Sequence, residues 1–161
     1  MDLPKKMLEQ FVMLKAIFMY KVIDYFNCSE NKLTSLDGVP DTVGGSFYCY
    51  NNQLTSLAGA PDTVGGSFYC DSNNLTSLEG APDTVGGDFN CKNNKLTSLD
   101  GAPKTVAGYF DCSNNMLTSL VGAPKTVAGY FDCRNNQGPN GNGFTEEDVR
   151  AVCDVKGRIY V

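Results

Sequence analysis

Cysteines stand at 28, 49, 70, 91, 112 and 133, each 21 residues after the last, and a seventh stands at 153. Thiolates are nucleophiles and metal ligands, so a row of them first suggests metal or redox chemistry. The spacing suits neither. No Cys-x-x-Cys pair exists and histidine is absent, which removes the usual zinc patterns and the commonest general base. One cysteine per repeat, in an odd total, argues against a disulfide framework. What remains is a buried column of small reduced thiols, expected in a reducing, cytoplasmic compartment. Carboxylates offer the other candidate chemistry. Asp71, Asp88, Asp111 and Asp132 recur near equivalent positions, and a carboxylate pair can support hydrolysis. An open sheet does not exclude water as catalysis demands. We therefore expect no enzyme and no cofactor.

The elements that must carry these residues follow from the same step. Phe26, Phe47, Phe68, Phe89, Phe110 and Phe131 keep it, as do Leu33, Leu54, Leu75, Leu96 and Leu117, and Pro40, Pro61, Pro82, Pro103 and Pro124. A fixed period of this length marks a solenoid. Phe47 and Cys49 alternate with Ser46, Tyr48 and Tyr50, the period-2 pattern of a short strand with one buried face. Successive copies in register make these strands parallel and about 4.8 Å apart. Asn52 and its equivalents follow the cysteine by three residues. An amide there can donate and accept at once, satisfying backbone groups where the chain turns. Leu54, Leu57 and Val64 return to the core. Proline keeps the Gly-x-Pro segment extended, and Gly45, Gly66, Gly87, Gly108 and Gly129 are expected to hold a corner at positive φ. One unit buries too little to offset fixing its backbone, so the copies stabilise one another.

The 161 residues divide into an N-terminal capping helix (1–21), the repeats (22–137) and a C-terminal cap (138–161). Met7, Phe11, Leu14 and Phe18 form a buried helical stripe over residues 3–20. Val12, Met13, Ile17, Met19 and Tyr20 make that helix apolar nearly all round, which predicts a further contact there, such as self-association. At the other end, Thr145 reads as an N-cap with Asp148 near the reciprocal capping position. Val149, Val152 and Cys153 are expected inward, followed by a closing strand with Ile159 and Val161 inward.

The unit Phe47-Tyr-Cys-Tyr-Asn-Asn52-Gln-Leu54-Thr-Ser-Leu57 is similar to the leucine-rich repeat signature, with Phe and Cys in two leucine slots. The 21-residue form with Pro-x-x-Val on the return side resembles the bacterial and phage class of that family. The resemblance spans Phe26 to Asn136. It implies a right-handed curved solenoid with a parallel sheet on the concave face, an extended polyproline-like return side, and protein recognition on the sheet. It leaves delivery into a host cell open. Some bacterial members carry a ubiquitin-ligase domain with a catalytic cysteine. This chain has no room for one, and Cys153-Asp154 is no evidence of it.

Three outward columns are then the candidate partner surface. The first is Tyr25, Ser46, Ser67, Asp88, Tyr109 and Tyr130. The second is Asn27, Tyr48, Tyr69, Asn90, Asp111 and Asp132. The third is Ser29, Tyr50, Asp71, Lys92, Ser113 and Arg134. Tyrosine gives large contact area at low entropic cost, and the aspartates favour a basic protein partner. A net charge of −5 without a basic tract speaks against nucleic acid or an anionic membrane. The competing reading is a self-assembling protein joined through residues 3–20. Near-identical copies fit recent duplication or a consensus design without an evolved ligand equally well.

Overall fold

The computed structural model describes residues 21–22 and 24–161; the helix expected over 3–20 lies outside them. The described chain is a parallel β-solenoid with little helix. Its strands are two residues long: β1 (Lys21–Val22), β2 (Phe26–Asn27), β3 (Thr42–Val43), β4 (Phe47–Tyr48), β5 (Thr63–Val64), β6 (Phe68–Tyr69) and β7 (Thr84–Val85). They continue as β8 (Phe89–Asn90), β9 (Thr105–Val106), β10 (Phe110–Asp111), β11 (Thr126–Val127) and β12 (Phe131–Asp132). The helix α1 (Glu146–Arg150) then precedes β13 (Asp154–Val155) and β14 (Ile159–Tyr160). Even-numbered strands form one seven-stranded sheet and odd-numbered strands form another.

Register follows the 21-residue step, with Phe47 paired to Phe68 and Tyr48 to Tyr69. The ladder runs beyond the two-residue strands: Phe47 N–H donates to Ser67 O at 2.8 Å, Cys49 to Tyr69 at 2.9 Å and Asn51 to Asp71 at 3.1 Å. Each coil sends its Phe, Cys, both Leu and Val into one shared core. Adjacent Phe rings lie 5.1 to 5.8 Å apart between centroids. The return side differs from expectation. Its Thr–Val pairs form a second sheet with Val inward and Thr outward, where an extended polyproline-like strip was expected. The pairs are β-branched and stack in register, so a ladder forms between the flanking proline and glycine.

Asparagine closes each coil. Asn52 Nδ2 donates to Cys28 O and Cys49 O, both at 3.0 Å, while its Oδ1 accepts from the N–H groups of Asn31 (3.0 Å) and Leu33 (2.9 Å). Asn73, Asn94, Asn115 and Asn136 repeat the two donations and the acceptance from a leucine N–H. The glycine expectation is corrected. Gly45, Gly66, Gly87, Gly108 and Gly129 do not have positive φ; the glycines that do include Gly59, Gly80, Gly101 and Gly122. The first series is required by close approach between coils, since a Cβ on Gly45 would sit 2.5 Å from the Asp24 carbonyl oxygen.

In the C-terminal segment, Thr145 and Asp148 form a reciprocal capping box on α1. Val149 and Cys153 are buried as expected. Val152 and Val161, also expected inward, are exposed. Val152 turns away because α1 presents only its Val149 side to the coil, and no further described strand lies beyond β14 to cover Val161.

Candidate functional site

The cysteine column is built into the core. All seven are free and buried. Cys70 Sγ points at Asn90 O, and Cys91 Sγ at Asp111 O, each at 3.4 Å. Burial pushes the Cys28 thiol up to about 12 and, with the Asp154 charge, the Cys153 thiol up to about 11. Thiols held protonated are poor nucleophiles and poor metal ligands. Among the described residues, no three His, Cys, Asp or Glu side chains are grouped as a metal would require.

The outward face of the Phe–Cys sheet holds the sequence-selected residues in two clusters. In the first, Tyr25 meets Tyr48 edge-on at 6.2 Å, Tyr48 stacks on Tyr69 at 5.3 Å with 8° between planes, and Tyr50 packs edge-on to Tyr48 at 6.4 Å. In the second, Tyr109 stacks on Tyr130 at 4.5 Å and 5°, and Tyr130 meets Tyr160 edge-on at 5.5 Å. Arg134 lies 5.0 Å over the Tyr160 ring. Asp88 joins the clusters. Tyr69 donates its hydroxyl proton to Asp88 Oδ2 at 3.1 Å. Asp88 Oδ1 also accepts from Tyr109 N at 3.0 Å. Burial raises the Tyr69 and Tyr109 phenols above their ordinary range. They remain hydrogen-bond donors at neutral pH.

The tall side chains thus form one ridge that crosses the sheet. It passes from Tyr25 in the first column to Tyr48 and Tyr69 in the second, returns to Tyr109 and Tyr130 in the first, and ends at Tyr160. Sequence reasoning missed Tyr160 as a surface residue. Its signal was the alternation in β14, which pairs Tyr160 with Asp132 and so continues the second column. The stacked rings cover one another's faces and stay half-buried, so it is their edges that meet solvent.

The aspartates differ from the expected open carboxylates. Asp111 and Asp132 are buried, 7% and 4% exposed, although both belong to the outward second column. Each folds onto its own turn. Asp111 Oδ1 accepts from Ser113 N at 3.0 Å and Ser113 Oγ at 2.6 Å. Asp132 takes Arg134 N at 3.1 Å and pairs with the Arg134 guanidinium at 2.6 Å. Asp71 stays half-buried; burial raises its carboxyl above the usual range against the pull of Lys92.

A second feature lies at the C-terminal end, a groove of about 290 Å³ lined by Leu120, Val121, Pro139, Phe144 and Val152 among others. Val121 is 64% exposed. Its slot holds Asp37, Ala58, Glu79 and Asp100 in the other coils, and that departure was its signal in the sequence. Comparison with protein-family models, curated proteins and solved structures finds no match to this chain.

Proposed function

We propose that this protein is a non-enzymatic interaction module of the short leucine-rich repeat kind, taking a protein partner on the tyrosine ridge of its Phe–Cys sheet. On this reading the ridge is the concave face, and the protein works in the reducing interior of a cell. The observation that carries the proposal is the continuity of the ridge. Side chains from separate coils are pre-ordered by ring stacking and by Asp88, which accepts from the Tyr69 hydroxyl and the Tyr109 N–H, so little side-chain entropy remains to be lost on binding. Ring edges carry the positive rim of the aromatic quadrupole and the phenols donate, so the surface favours partner carbonyls. Asp71 and Asp88 favour basic side chains beside them. With Asp111 and Asp132 engaged in their own turns, the acidic bias is weaker than four open carboxylates would produce.

The test compares proteins captured by the wild-type chain with those captured by Tyr48→Ala/Tyr69→Ala, after circular dichroism confirms that both are folded. A partner retained by the wild type and lost by the variant is expected. The same partners on both would end the proposal. If removal of residues 3–20 abolished capture instead, the assembly reading would replace it.

A further inference from the structure

We propose that Asn140 is a site of spontaneous hydrolytic modification and that the fold selects it over its near neighbour Asn142. The chain contains two Asn-Gly pairs, Asn140-Gly141 and Asn142-Gly143, both in the loop between the last coil and α1. An Asn-Gly pair is the most reactive setting for succinimide formation, because glycine adds no side chain against the attack. The Gly N–H loses its proton to solvent base and the nitrogen attacks the Asn Cγ. A new N–Cγ bond closes a five-membered imide, and the side-chain nitrogen takes up a proton and leaves as ammonia. One water then opens the imide at either carbonyl, leaving aspartate or isoaspartate. Asparagine and water in, acid and ammonia out, the atoms balance without any other reactant.

The attacking nitrogens are held differently. Gly143 N–H donates to Gln137 O at 2.8 Å, which keeps its proton and fixes its direction. Its carbonyl also packs directly against Gly138, where a Cβ would collide with it. Gly141 N–H reaches Gly138 O at only 3.5 Å, the limit of a hydrogen bond. A Cβ on Gly141 would meet nothing within 4 Å and one on Gly143 only the Asn136 carbonyl oxygen at 3.9 Å, so the two sites differ in how the attacking nitrogen is held and not in the space around it. Both asparagines are exposed to water and hydroxide. Accessibility therefore does not separate them, whereas the state of the following amide does. Conversion at Asn140 adds a carboxylate beside Pro139 on the wall of the C-terminal groove.

The full chain is incubated at mildly alkaline pH, both folded and in guanidinium chloride, and peptide mapping by mass spectrometry follows the amide-to-acid change at each position. In the folded chain Asn140 converts roughly fivefold or more faster than Asn142, the factor that one hydrogen bond to the attacking nitrogen supplies. In denaturant the two rates converge. Asn140→Gln removes the fast phase from the folded chain. Conversion of Asn142 at an equal or greater rate in the folded chain would overturn the proposal. So would an unchanged preference in denaturant, because selection would then be local chemistry and owe nothing to the fold.

Discussion

One asparagine per coil carries an unusual share of the hydrogen bonding. Asn94 Nδ2 donates to Cys70 O at 3.1 Å and Cys91 O at 3.0 Å, and its Oδ1 takes the Leu75 N–H at 2.9 Å, joining two coils inside the core. Asn94→Ala leaves these backbone groups buried without partners. At about 1–3 kcal/mol for each unsatisfied group, the variant is expected to lose about 3 kcal/mol or more. Urea unfolding with a midpoint within a few tenths of a molar unit of wild type would contradict this. The role of this residue was legible because a polar side chain at a fixed distance from an inward cysteine has few uses. The glycines were not separable in the same way. A positive φ, as at Gly80, and a close approach, as at Gly45, both exclude a Cβ, and sequence records only the exclusion. The Asp111 and Asp132 side chains were misplaced for a related reason. Alternation assigns the side of the sheet from which a residue departs, while the turn to Ser113 or Arg134 decides where its carboxylate ends.

At the scale of the element the unit is the coil, since strands of two residues do not stand alone. The Phe–Cys strand was legible from alternation over five residues. The Thr–Val strand has only two residues between Pro-Asp or Pro-Lys and Gly or Ala, too short to show a period, and it is visible only once its neighbours lie in register. Coil modularity yields a prediction. Deleting residues 68–88 joins Ser67 to Phe89 at equivalent positions, so both sheets keep their register with one strand fewer. That chain is expected to fold, with sheet-like circular dichroism and a lower unfolding midpoint. Deleting 68–78 places Glu79 where Phe belongs and is expected to leave no cooperative transition. Two equally stable deletions would show that register does not hold the stack together.

The cysteine column runs through all the described coils and sets how they meet alkali. Burial raises Cys28 from 9.0 to about 12, and the Asp132 charge adds to burial in raising Cys133 from 9.0 to about 12. Between those values the unfolded chain has released protons that the folded chain still holds. Stability is therefore complete below about pH 9 and declines as pH rises toward 12, by roughly 1.4 kcal/mol per thiol per pH unit at most. Thermal unfolding followed from pH 8 upward tests this. Cys91→Ala is expected to flatten the decline, and a profile unchanged by the substitution would place its cause elsewhere. The tyrosine ridge has an optical consequence. The chain has no tryptophan and eight tyrosines, so its near-ultraviolet emission belongs to phenols. Rings 4.5 Å and 5.3 Å apart exchange excitation before they emit. The face proposed to meet a partner is thus also the chromophore array of the protein, its excitation shared within each stack and sensitive to any change in ring spacing.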